Sequence, residues 1–109
     1  MKAQYNRIQM AEALERAGLR RGDVVFSHSN VGYFGFPEEG QTADAVFQTI
    51  LGAFRDVIGE EGTLVVPTFT YSFCKCQPFD PDRTPSTCGM FTEMLRLHPD
   101  AQRSQDPIF

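Results

Sequence analysis

With 109 residues, the chain has room for one domain. Ile, Leu, Val and Phe make up about a quarter of it, above the roughly 20% below which chains stay disordered, and ten of these are Phe. A net charge of −4 argues against a nucleic-acid binder that works by neutralising phosphates, and no apolar run approaches the 18 residues of a membrane span. The first residues, Met1-Lys2-Ala3-Gln4-Tyr5-Asn6-Arg7, hold no hydrophobic signal region, and three cysteines form no disulfide framework. Both features predict a cytoplasmic protein.

The first predicted element is a helix over about 6–17. Asn6 is its N-cap, Met10, Leu14 and Ala17 form its apolar face, and Gly18 with Leu19 closes it. Arg20-Arg21-Gly22-Asp23 is a turn. Val24-Val25-Phe26 follows as a continuous apolar run, the pattern of a strand buried on both faces. A polar and then glycine-punctuated loop runs from Ser27 to Pro37. From Thr42 to Ile58 the stripe Val46, Phe47, Ile50, Leu51, Phe54, Val57, Ile58 keeps helical period, with Thr42 to cap it and Gly59 to end it. Thr63-Leu64-Val65-Val66, closed by Pro67, is a second strand of the buried type. A long loop from Thr68 to about Ser86 carries enough aromatics to be ordered. Thr87 is placed to cap a short helix over about 88–97, with Phe91, Met94, Leu95 and Leu97 for burial.

Strand, long helix, strand is a βαβ crossover. The expected fold class is α/β, a sheet containing a parallel βαβ unit with flanking helices. Asp106-Pro107-Ile108-Phe109 reads as the opening of a further strand, so residues 1–109 are expected to be the N-terminal part of a single domain.

In parallel α/β sheets, ligands bind beyond the carboxyl ends of the strands. Two segments stand there. Ser27-His28-Ser29-Asn30 offers hydroxyls, an amide and successive backbone N–H groups to a phosphate, or simply turns the chain. Pro67-Thr68-Phe69-Thr70-Tyr71 adds hydroxyls and an aromatic, equally compatible with an ordinary strand end. No dinucleotide fingerprint or P-loop follows either strand. His28 reads as a hydrogen-bonded structural residue before a general base, and His98 as a solvated cation at a helix end. Arg103 offers a cation to an anionic ligand or is merely an exposed charge. Cys74-Lys75-Cys76 is too tightly spaced for a zinc knuckle, so Cys74, Cys76 and Cys88 are read as free thiols and no metal is expected.

Three segments, taken together and in order, resemble the aminoglycoside 3-N-acetyltransferase family. They are Arg21-Gly22-Asp23-Val24-Val25-Phe26-Ser27-His28-Ser29-Asn30-Val31, then Gly59 to Thr70, then Arg103-Ser104-Gln105-Asp106-Pro107. Members typically read G-D-x-x-x-V-H-S-S-L, G-x-x-G-T-L-V-M-P-T and R-S-x-H-P. The resemblance covers essentially the whole chain. It implies that family's α/β fold and an enzyme that moves acetyl from acetyl-CoA, as co-substrate and without a metal, to an amine on an aminoglycoside or another amino sugar. It further implies that Ser29, Asn30 and Val31 match the turn that holds the coenzyme A pyrophosphate, and that Thr68 matches a threonine near the pantetheine end. Asn30 replaces a serine of the family pattern, and Asp106 replaces a histidine, which leaves the acceptor amine open. The family's T-x-x-H-x-x-E segment, whose histidine serves as general base, is not among these 109 residues and is expected beyond Phe109. The chain alone is therefore expected to be inactive. The partner is a small-molecule amine rather than a nucleic acid or a membrane, and oligomeric state is left open. The rival reading is a non-catalytic α/β module that binds a small anionic molecule.

Overall fold

A computed structural model describes residues 4–28 and 30–106. The chain forms two compact units, Met1–Val65 and Val66–Phe109.

The first unit begins with α1 (Arg7–Arg16). The Asn6 side chain accepts the Gln9 backbone amide at 2.8 Å, and the Gln9 side chain accepts the Asn6 amide at 3.0 Å, a reciprocal capping box. Gly18, at φ +108°, ends the helix in a conformation that a side chain rarely adopts. Its amide donates to Glu15 and that of Leu19 to Leu14, the paired bonds of a Schellman motif. The predicted face is half right: Met10 and Leu14 are partly buried, but Ala17 is exposed and Ala11 is the buried residue.

β1 (Val24–Phe26) leads through a short 3-10 turn (Val31–Phe34) to α2 (Ala43–Ile58). Thr42 caps α2 by accepting the Ala45 amide, and every residue of the predicted apolar stripe is buried. β2 (Thr63–Val65) then pairs parallel with β1, Val24 beside Thr63, Val25 beside Leu64 and Phe26 beside Val65. The expected βαβ unit is present. Ala11, Ala53, Val57 and Ile58 form a core, with Met10, Leu14, Leu19, Val25 and Leu64 packed around it, so both helices and both strands contribute. α1 lies against α2. There the Arg7 guanidinium grips Asp56 through two 2.7 Å bonds. The guanidinium lies over Gly52, where an added Cβ would stand 2.7 Å from the guanidinium carbon and displace it. The Arg7 contact holds the Asp56 carboxyl below its ordinary range. Both groups are about half exposed, so the pair stabilises by about 1 kcal/mol at most.

The strand pattern suits burial on both faces, but two strands and three helices are too few to cover both. Exposed Phe and Val surface is therefore expected and is found. The strands are buried on one face only. Val25 and Leu64 turn toward the core, while Val24 is 74% and Phe26 61% exposed, and Val65 is exposed with them. A run of apolar residues encodes two apolar faces, but the helices that pack on this sheet through the core lie against the face of Val25 and Leu64.

Before α1, Tyr5 forms a parallel bridge with the buried Pro37, and Gln4 donates to the Phe36 carbonyl. The Tyr5 ring meets Phe34 edge-on at 6.5 Å. Its hydroxyl is buried without a hydrogen-bond partner among the described residues, and burial raises its pKa.

The second unit contains the long loop and α3 (Met90–Arg96). The loop is ordered by its own bonds. Thr70 and Ser72 are buried and share a 2.6 Å hydroxyl contact, and the Asp80 amide donates to the Thr84 hydroxyl. Thr87 does not cap α3, contrary to expectation. Its amide and hydroxyl both donate to the Phe69 carbonyl, at 2.9 and 2.7 Å, and Gly89 begins the helix without a side-chain cap. α3 is also shorter than expected. It stops at Arg96, leaving Leu97 at the cap and exposed, while Phe91 is buried. The predicted strand at Pro107-Ile108-Phe109 lies outside the described residues.

Candidate functional site

Because β1 and β2 are parallel and in register, their carboxyl ends lie side by side, Phe26 beside Val65. The Ser27 amide extends the ladder by donating to the Val65 carbonyl at 2.8 Å. The first candidate segment leaves the sheet from that end of β1. His28 is exposed there and faces solvent. Ser29 lies outside the described residues. Asn30 is exposed and extended, and its side-chain oxygen accepts the Gly32 amide at 3.2 Å to start the 3-10 turn. Val31 is buried, so its side chain belongs to the packing and only its backbone is available to a ligand. The turn is thus held from both sides, by an Asn cap and by a buried valine.

The second segment, in the other unit, begins after β2. Thr68 is half-buried, and its carbonyl accepts the Arg103 Nη2 at 2.8 Å. Thr70, grouped with Thr68 in the sequence reading, spends its hydroxyl on Ser72 and on the Ser72 amide. The two threonines are therefore not equivalent.

Arg103 is not an exposed charge. Besides Thr68 it donates to the carbonyls of Pro81 and Thr84, and its guanidinium carbon sits 4.9 Å from the centre of the Phe79 ring. Burial is the first cause that lowers its pKa, and the nearby Arg96 cation is the second. Arg96 itself is spent on Glu93 through a two-point contact at 2.7 and 2.6 Å. Sequence reasoning missed both commitments. The Arg96–Glu93 pair had a signal, opposite charges three positions apart on one helix; the partners of Arg103 had none.

At the end of α3, the His98 Nδ1 accepts the Asp100 amide at 3.1 Å. Cys74 and Cys76 are exposed, Cys88 is partly buried, and all three are free thiols. Among the described residues no three His, Cys, Asp or Glu side chains converge on a point that would hold a metal ion. No helix among them is long and apolar enough to cross a membrane.

Set beside known proteins, residues 26–109 match the family described as aminoglycoside 3-N-acetyltransferase. The chain belongs to that family. It is 31% identical over 103 residues to aminoglycoside N(3)-acetyltransferase VII of Streptomyces paromomycinus, covering 94% of this chain and 29% of that protein. The figures for aminoglycoside N(3)-acetyltransferase IX of Micromonospora chalcea are 31%, 94% and 30%. Among solved structures, AAC-IIIb in a binary complex with CoASH superposes with a TM-score of 0.75 at 27% identity, over 95% of this chain and 44% of that one. A mutant of aminoglycoside acetyltransferase AAC(3)-IVa in complex with gentamicin gives a TM-score of 0.81 at 26% identity, over 99% and 39%. The α/β fold is that of these enzymes. The chain spans about 30% of the curated relatives it matches.

Proposed function

We propose that this chain carries part of the coenzyme A half of an N-acetyltransferase, with Ser29, Asn30, Val31 and Thr68 as its contacts to acetyl-CoA. The acceptor is an amine on an aminoglycoside or another amino sugar. The observation that supports this best is family membership over residues 26–109, joined to the likeness to a relative solved with CoASH. The chemical fit is consistent with it. Asn30 and the backbone of Val31 occupy a braced turn beyond a parallel strand, where amide donors suit a pyrophosphate. Thr68 follows the neighbouring strand and carries a hydroxyl suited to a thioester oxygen or a pantetheine amide.

In the reaction, the acceptor nitrogen attacks the thioester carbonyl carbon, a C–N bond forms and the C–S bond breaks. The coenzyme leaves as thiolate and takes up a proton, while the amine surrenders one to a general base. None of this chain's residues is assigned that last role. In this reading residues 1–109 are the N-terminal part of one acetyltransferase domain that is inactive without the remainder. The compartment is cytoplasmic, in keeping with two exposed free thiols. The net charge of −4 favours a cationic amine over a nucleic acid as partner.

The test is calorimetric titration of coenzyme A into the chain and into its Ser29→Ala and Thr68→Val variants. Val keeps the β-branched shape of Thr, so the hydroxyl is removed without changing the backbone preference. A hydrogen bond to a charged acceptor stabilises by about 1.5–3 kcal/mol, so Ser29→Ala should weaken binding at least 10-fold. Equal affinity in all three chains, each melting cooperatively, would leave only the reading of a turn that turns. Release of coenzyme A thiol by this chain with an aminoglycoside as acceptor would overturn the inactive assignment.

A further inference from the structure

Consecutive peptide planes after β2 are clamped by side chains from distant parts of the second unit. The Thr68 carbonyl accepts Arg103 Nη2 at 2.8 Å, across 35 positions of sequence. The next carbonyl, that of Phe69, accepts both the amide and the hydroxyl of Thr87. Arg103 reaches further with its other terminal nitrogen, to the carbonyls of Pro81 and Thr84, while its flat face lies on Phe79. One guanidinium therefore joins residue 68 to residues 79, 81 and 84. These contacts are carbonyls and a ring, whereas Arg96 is neutralised by Glu93. A half-buried cation spent on carbonyls costs desolvation that a carboxylate pair would offset better. What the arrangement gains is geometry, because a planar fork with five donors fixes several oxygens at once and an ammonium does not.

We propose that Arg103 is a positioning residue for coenzyme binding. By holding the Thr68 peptide plane it fixes the direction of the Thr68 side chain, and it keeps the 79–84 stretch of the loop closed behind it. This rests on the assignment of Thr68 to the coenzyme site. It adds a residue that acts through Thr68 without touching the coenzyme.

The experiment uses Arg103→Lys, which keeps the charge and loses the fork, Thr68→Val, and the double variant. Two quantities are read on each: affinity for coenzyme A by calorimetry, and the rate of tryptic cleavage after Lys75 and Arg83, both of which lie in the braced loop. The expected result is coenzyme binding about 10-fold weaker in Arg103→Lys, faster cleavage at Arg83, and a double variant no weaker than the weaker single one. Faster cleavage with unchanged affinity would make Arg103 a structural staple only and overturn the proposal, with the coenzyme reading intact. Fully additive losses would show that Arg103 does not act through Thr68 and would overturn it equally. No binding of coenzyme A by the unaltered chain would overturn the coenzyme reading itself, and this inference with it. Should Arg103→Lys fail to fold, Phe79→Leu withdraws the ring beneath the guanidinium and is read in the same two ways.

Discussion

Glu93 carries the most consequential single charge in the second unit. Its carboxylate accepts two bonds from Arg96 and one from the Ser86 amide at 2.8 Å. The Arg96 contact first, and the Ser86 bond after it, hold the Glu93 pKa below its ordinary value of 4.5. The folded chain therefore releases this proton at a pH where the unfolded chain still holds it, and stability rises with pH through that window. The contribution is complete above the unfolded value and is lost as pH falls through the depressed folded one. The melting temperature should drop as pH is lowered from about 5 to 3, with part of that slope absent in Glu93→Gln. At neutral pH the same change should cost about 1–3 kcal/mol, since it leaves Arg96, 7% exposed, without its countercharge. Melting curves across pH decide it: a variant as stable as the parent at pH 7 would contradict the role given to the pair. At this scale the sequence shows where polar side chains follow the two apolar runs, among them Asn30 and Thr68. The burial of Val31 and the work of Arg103 were not legible, because nothing local in a sequence says which carbonyl an arginine will reach 35 residues away.

The helices of the first unit obey their periodicity closely enough to be tested by it. Ile50, on the α2 stripe, is 2% exposed, and Ile8, on α1, is 69% exposed. Truncating Ile50 to Ala should cost about 2–4 kcal/mol, transfer energy plus a cavity, whereas Ile8→Ala should change stability by less than about 0.5 kcal/mol. Urea unfolding of the two variants checks both numbers, and comparable losses would mean that the stripe does not face the core. Caps and stripe were readable because each rests on residues within one or two turns. Thr87 shows where such local reasoning stops. It stands where a cap would stand, yet its hydroxyl goes to Phe69, 18 positions back, since the loop's carbonyl needs a donor and α3 starts at Gly89. The Tyr5–Pro37 bridge and the 3-10 turn at Val31–Phe34 have no period to betray them. The strands were recognisable as strands, but an apolar run records which faces are suited to burial, not which are covered.

That difference governs the behaviour of the whole molecule. Val24, Phe26 and Val65 share the face of the two-stranded sheet opposite the Val25 and Leu64 core, and all three are exposed. Fully burying one such side chain stabilises by about 1.5–3 kcal/mol, a contribution this face leaves unrealised. An exposed apolar patch on so short a sheet promotes association in solution. The chain should accordingly bind an apolar fluorescent dye in its native state and elute from a sizing column at an apparent mass that rises with concentration. Replacing Val24 and Phe26 together by Thr keeps strand-forming side chains at both positions and removes most of the apolar area. Dye fluorescence should then fall at least two-fold and the concentration dependence should weaken. The thermal midpoint should stay nearly constant, because surface changes of this kind shift stability by about 0.5 kcal/mol or less. A midpoint lowered by many degrees would place the two side chains in the core after all. Unchanged dye binding would put the sticky surface elsewhere, at exposed aromatics such as Phe69, Tyr71 and Phe73 of the second unit.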